Sequence, residues 1–118
     1  MKVSIIIPVY NEQDFIKKSI ESIINQTTKP QKVIYVNDSS TDKSRSIIEE
    51  FSEKYKWIDL VDHESKQQHV SGSKVVDAFN FGLKNLNINY DIICKFDADI
   101  ILPINYLEKL IDIFSRDK

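Results

Sequence analysis

The sequence predicts an α/β three-layer sandwich: a mostly parallel central sheet of about four strands with helices on both faces. Three observations lead there. Short β-branched apolar runs alternate with segments whose apolar residues recur at three and four, the rhythm of strand and amphipathic helix. The first run, Val3 to Val9, is apolar at nearly every position, as befits a strand covered on both faces in a parallel sheet. No internal repeat, low-complexity tract or linker interrupts the 118 residues, and with 42% hydrophobic residues they suffice for one core but not two. Residues 1–118 are therefore expected to form one domain.

Each element has its own justification. Val3-Ser4-Ile5-Ile6-Ile7-Pro8-Val9 is the first strand, whose pairing Pro8 should end. Asn11 is placed to cap the helix that follows, with Asp14 near its first turn; Ile16, Ile20, Ile23 and Ile24 recur on one face. Lys32 to Val36 is the second strand. Ser39-Ser40-Thr41-Asp42 then offers hydroxyl and acidic groups for a helix start, and Ile47, Ile48, Phe51 and Tyr55 make that helix's stripe. Trp57 to Val61 alternates and reads as an edge strand. The polar stretch from Asp62 to Ser73 reads as a loop of a length that usually has a function. Val75, Val76, Phe79, Leu83 and Leu86 carry helical spacing, a strand from Asp91 to Phe96 follows, and Pro103 opens a last helix with Leu107, Leu110, Ile111 and Phe114.

Composition narrows the function. A formal charge of −2 provides no basic field for a phosphate backbone, so nucleic acid is not an expected partner. Cys94 is the only cysteine and lies within an apolar strand, so it reads as a small buried hydrophobe in a reducing compartment. The opening Met1-Lys2-Val3-Ser4-Ile5 leads into an apolar run too short for a signal peptide or a membrane span. The expectation is a cytoplasmic chain, with any membrane association carried by parts outside these residues.

In a doubly wound sheet, ligands bind beyond the carboxyl ends of the strands, where strand order reverses. Pro8, Tyr10, Asn11 and Glu12 follow the first strand, Asn37 and Asp38 the second, Asp97 and Asp99 the fourth. None of these ends has a glycine. Dinucleotide folds need G-x-G-x-x-G and P-loops need G-x-x-x-x-G-K, and with two glycines in the chain neither motif is present. Phosphate charge must therefore be met by a cation or by side chains. Two carboxylates one residue apart on extended backbone point to one side, so Asp97 and Asp99 are expected to converge on Mg²⁺ or Mn²⁺, whose shell water and substrate phosphates would complete. Asp38 can accept a hydrogen bond from the imide N–H of uracil, and Tyr10 offers a flat face for a base.

Other uses of these residues are open. Tyr10 could cover a sheet edge, Asp38 could cap the helix beginning near Thr41, and Glu12 could be a first-turn partner of the helix dipole. Lys74 could be a solvated charge, and Lys95 could pair with a carboxylate or approach a phosphate. His63 and His69 are six apart with no cysteine at zinc spacing, so a solvated loop is preferred to a metal site.

The segments Val3-Ser4-Ile5-Ile6-Ile7-Pro8-Val9-Tyr10-Asn11-Glu12, Val36-Asn37-Asp38-Ser39-Ser40-Thr41-Asp42 and Phe96-Asp97-Ala98-Asp99 resemble the successive signatures of family 2 glycosyltransferases. The similarity continues through Leu102-Pro103 and Leu107-Glu108-Lys109-Leu110. The resemblance implies the Rossmann-like half of a glycosyltransferase A-type fold. It also implies a nucleoside-diphosphate sugar, foremost a UDP-sugar, bound with a divalent metal for inverting transfer to a hydroxyl of a glycan or lipid-linked acceptor, as in polysaccharide biosynthesis. Nucleotide-binding positions carried over with it are Pro8, Tyr10, Glu12, Asp38, Lys74 and Asp97. Asp97 would reach ribose or metal, and Asp99 would be the principal metal ligand.

Two segments depart from the family pattern. Asn37 and Ser39 stand where the second signature commonly reads Asp and Gly, and Phe79 stands where arginine is frequent, a charge Lys74 could replace near the diphosphate. The resemblance also places the catalytic base and acceptor surface beyond Lys118, so these residues are expected to be a donor-binding half that is inactive alone. Two other classes compete. A phosphoacceptor domain would need an acidic pair directly after the first strand, which is missing; a non-catalytic nucleotide-binding or interaction module would bind no metal-bridged diphosphate.

Overall fold

The computed structural model describes residues 1–65 and 71–116. Four strands, β1 (Val3–Val9), β2 (Lys32–Asp38), β3 (Ile58–His63) and β4 (Ile92–Lys95), alternate with α1 (Ile16–Ile24), α2 (Ser44–Lys54), α3 (Ser71–Lys84) and α4 (Tyr106–Arg116). All pairings are parallel, in the order β3-β2-β1-β4. The chain thus winds outward from β1 on one side and returns to β1's other side for β4, so order reverses between β1 and β4.

The period-two alternation of strands separates two cores. Odd positions of β1 (Val3, Ile5, Ile7, Val9) join Val33 and Tyr35 of β2, Ile16, Ile20 and Ile23 of α1, Ile48 of α2 and Leu107 of α4. The opposite face carries Ile6, Ile34 and Val36, covered by Ala78 of α3. Helices therefore lie on both faces, as the sequence predicts, three on one and one on the other. Gly82 lets α3 come close: a Cβ there would stand 2.7 Å from Ile6 Cγ2 and 2.8 Å from Val36 Cγ2.

Several boundaries move from their expected places. Pro8 does not end β1, which pairs with β2 through Val9↔Asn37, whereas pairing with β4 stops at Ile6↔Lys95. A strand residue directs its N–H to one side only, so the β2 ladder can pass a proline where the other neighbour has already ended. Asn11 does not cap α1, which starts five residues later behind Phe15 with no side-chain cap. Glu12 therefore lies outside the first turn of α1, and no acidic residue occupies that turn. Asp62 and His63 continue β3 instead of opening a loop, and α3 already runs at Ser71. The middle of that expected loop, His69 included, lies outside the described residues.

Among the described side chains of α3 the buried positions are Ala78 and Gly82, while Val75 and Val76 are exposed, because contact this close to the sheet favours small residues. Cys94 is half-buried. Pro103 precedes α4 rather than opening it, accepting from Tyr106 N–H at 3.1 Å, and Phe114 of the expected stripe is exposed. No helix among the described residues is long and apolar enough to cross a membrane.

Candidate functional site

A cavity of about 590 Å³ opens at the carboxyl ends of β1, β2 and β4, where strand order reverses. Pro8, Tyr10, Glu12, Asp38, Lys74, Asp97 and Asp99 all line it. Three loops and the first turn of α3 bring these seven together from positions up to 91 residues apart.

The floor and one wall come from the loops after β1 and β2, which are tied to each other. Asn11 adopts a left-handed φ of 50°, and its Oδ1 accepts from the N–H groups of Thr41 at 2.8 Å and Asp42 at 3.2 Å. Ser40 Oγ accepts from Asn11 N–H, Ser44 Oγ from Glu12 N–H at 2.7 Å, and Asp42 Oδ2 from Gln13 N–H. Asparagine tolerates the left-handed region and offers a short acceptor, which suits it to this bridge better than to a helix cap. Tyr10, carried on this frame, is 61% exposed, so its ring faces solvent and does not cover core.

Asp38 ends β2 and caps no helix. Its Oδ1 accepts from Ser65 N–H at 2.9 Å and its Oδ2 from Ser65 Oγ at 2.8 Å. Its neighbour Asn37 is buried; Asn37 Nδ2 donates to Asp62 Oδ1 at 3.0 Å and Asn37 Oδ1 accepts from Ser40 N–H. Asp62 also receives two guanidinium nitrogens of Arg45. Hydrogen bonds from Arg45 and then Asn37 hold the Asp62 carboxyl below the usual range.

Asp97 and Asp99 reach the cavity by a turn and not along a strand. β4 ends at Lys95, Ile100 N–H meets the Asp97 carbonyl at 3.3 Å, and buried Ala98 pins the tip of the turn into the core. Both carboxylates are left exposed at the cavity's edge. Lys95 Nζ approaches Asp97 Oδ1 at 3.4 Å, the carboxylate contact that is one of its two open alternatives. Burial, then the charges of Asp99, Asp42 and Asp97, raise the Glu12 carboxyl above its ordinary range. The cavity therefore concentrates negative potential.

That potential and donor set fit a hard divalent cation. No group of three His, Cys, Asp or Glu residues among those described could hold a metal unaided. Two carboxylates suit an ion such as Mg²⁺ or Mn²⁺ that takes its remaining ligands from water and phosphate oxygens. His63 lies in β3 and stacks on Phe81 with ring centroids 4.4 Å apart, away from this site.

Val9, Ser39, Glu64, Ser65, Val75, Ala78 and Ala98 also line the cavity and were not read from the sequence. The signal for two of them was present. Glu64 and Ser65 follow β3 directly, so the rule applied to the ends of the other three strands reaches them once β3 is extended to His63.

Residues 4–118 match the family model described as Glycosyl transferase family 2. Glycosyltransferase GlyA of Streptococcus pneumoniae serotype 4 is 36% identical over 109 residues, 92% of this chain and 14% of that protein. Among solved structures, S. aureus TarS 1–349 in complex with UDP is similar with a TM-score of 0.77 at 22% identity, over 98% of this chain and 32% of that one. Mannosyltransferase PcManGT from Pyrobaculum calidifontis, in complex with GDP-Man and Mn²⁺, gives 0.68 at 26% identity, over 86% of this chain and 28% of that one. The chain thus spans a minor part of each relative's length, and the TarS likeness is one of fold, the glycosyltransferase A type. With three signature segments gathered at one cavity and a family match running from the first strand to the last residue, the chain belongs to glycosyltransferase family 2.

Proposed function

We propose that this cavity binds a nucleoside-diphosphate sugar, a UDP-sugar foremost, with Mg²⁺ or Mn²⁺, as the donor site for inverting transfer to a hydroxyl of a glycan or lipid-linked acceptor. The observation that carries the proposal is the convergence of Tyr10, Asp38, Lys74, Asp97 and Asp99 on one opening at the strand ends. Tyr10 stacks on the base and Asp38 accepts its imide proton. Asp99, with Asp97, holds the cation, which when bound offsets the charge of a departing diphosphate. Pro8 and Glu12 shape the nucleotide floor, and Lys74 at the first turn of α3 brings a positive charge toward the phosphates. We place the catalytic base and acceptor surface in the further length that relatives have, so these 118 residues supply donor binding. The UDP and GDP-Man carried by TarS and PcManGT, and the Mn²⁺ of the latter, support this reading.

Calorimetric titration with UDP and Mn²⁺ tests it. Binding should depend on metal and be lost in Asp99→Ala. Chelator should weaken UDP far more than uridine, which has no phosphate for a cation to bridge. No binding by the intact chain would favour a non-catalytic interaction module, and equal loss of UDP and uridine would remove the bridging cation.

A further inference from the structure

We propose that Ser65 is a positioning residue that presents the Asp38 carboxylate to the base, and so sets which pyrimidine the site accepts. The inference rests on the donor-site reading above.

The geometry is a two-point clamp. Ser65 N–H meets Asp38 Oδ1 at 2.9 Å while Ser65 Oγ–H meets Oδ2 at 2.8 Å. An ionised carboxylate accepts about four hydrogen bonds, so one donor on each oxygen leaves capacity on both. What the clamp removes is rotation: with both oxygens held by one residue, the carboxylate plane is set before any ligand arrives. Ser65 Oγ also lies 3.4 Å from the Lys74 carbonyl, a longer approach than that to Asp38, so the hydroxyl proton goes to the carboxylate. Ser65 therefore sits between the end of β2 and the first turn of α3, and both Asp38 and Lys74 line the cavity with it.

A fixed acceptor discriminates where a freely turning one does not. Uracil presents an N–H at ring position 3, and cytosine presents a bare acceptor at the same place. A carboxylate locked toward that position gains a hydrogen bond from the first and repels the second. Once free to turn, it can swing toward solvent and lose the distinction. Ser65→Ala keeps the backbone amide but drops the hydroxyl, and Ser65→Thr keeps both.

The test compares UDP and CDP affinities in the presence of Mn²⁺ for the purified chain and for Ser65→Ala, Ser65→Thr and Asp38→Asn. Releasing one side chain from a fixed rotamer predicts that Ser65→Ala reduces the UDP-over-CDP preference roughly three- to tenfold. Ser65→Thr should restore it, and chelator sensitivity should be unchanged throughout. A loss of stability alone would lower both affinities in parallel. If the chain prefers UDP, Asp38→Asn removes the preference and Ser65→Ala leaves it intact, Ser65 does not position Asp38, while the base-reading role of Asp38 survives. If the chain itself shows no preference, the Asp38 reading fails and this one with it.

Discussion

Asn37 does at one position what an aspartate could not. It is 5% exposed, and its amide donates to Asp62 while its carbonyl oxygen receives Ser40 N–H. The family signature commonly has Asp here, a departure visible in the sequence. Its consequence is not visible there, because the polar stretch that begins at Asp62 suggests a loop and hides the partner. Asn37→Asp would set a buried carboxylate within about hydrogen-bond distance of the Asp62 carboxylate, which is itself exposed and paired with Arg45. We expect a loss of about 1–3 kcal/mol at neutral pH in urea unfolding. Asp62 has its folded pKa lowered, so its own contribution is present above the unfolded carboxylate value, near about 4, and fades as pH falls through the folded one. In Asn37→Asp the trend should reverse, with the deficit shrinking as acid lets the pair share a proton. A deficit independent of pH would mean that lost packing, not charge, is responsible. Single residues at strand ends were legible because the carboxyl-end rule needs only the strand's terminus; their partners were not, since pairing across loops leaves no periodicity.

At the scale of elements, the strands, the apolar faces of α1 and α2 and the start of α2 beside Asp42, whose Oδ1 accepts from Ser44 N–H at 2.9 Å, were legible, and the starts of α1 and α4 were not. Asn11 and Glu12 suggest a helix start, yet both serve the loop bridge: backbone donors of the β2–α2 loop compete for the short Asn11 side chain, and Glu12 gives its own N–H to Ser44 Oγ. α4 has a start that no local pattern discloses. Gln26, one residue beyond the C-cap of α1, is buried and sends Nε2 to the carbonyls of Pro103 at 2.5 Å and Ser22 at 3.1 Å, while its Oε1 accepts from Leu107 N–H at 2.9 Å. One amide thus closes the end of one helix and opens another 81 residues away. Gln26→Ala would leave these backbone groups without partners in a place water reaches poorly. The expected cost is about 2–4 kcal/mol, measured by thermal or urea unfolding, from unpaired polar groups and the void together. A cost below about 0.5 kcal/mol would mean that water replaces the amide.

For the molecule as a whole, the parallel sheet with both faces covered was legible from β1, whose nearly unbroken apolar run has no solvent side. The uneven sharing of helices between the faces was not, because periodicity identifies an apolar stripe without saying which side of the sheet it meets. That unevenness gives Gly82 influence far from where it sits. A helix moves as a stiff rod, and among the described residues α3 is the one helix on its face, held against β1 and β2 where Gly82 has no side chain. From there to Lys74 is eight residues, about 12 Å of rod at about 1.5 Å per residue. Gly82→Ala gains helix propensity of about 1 kcal/mol and meets two β-branched methyls that have little room to turn, so a net loss of about 1–2 kcal/mol is expected in urea unfolding. The same change should loosen UDP several-fold, as the displaced fulcrum tilts the far tip of the rod out of alignment. Unaltered UDP affinity would show that the sheet yields locally. If it does not, a methyl group on the rear of the protein acts as a remote adjustment of phosphate grip, and variants that weaken the donor will be found well beyond the walls that touch it.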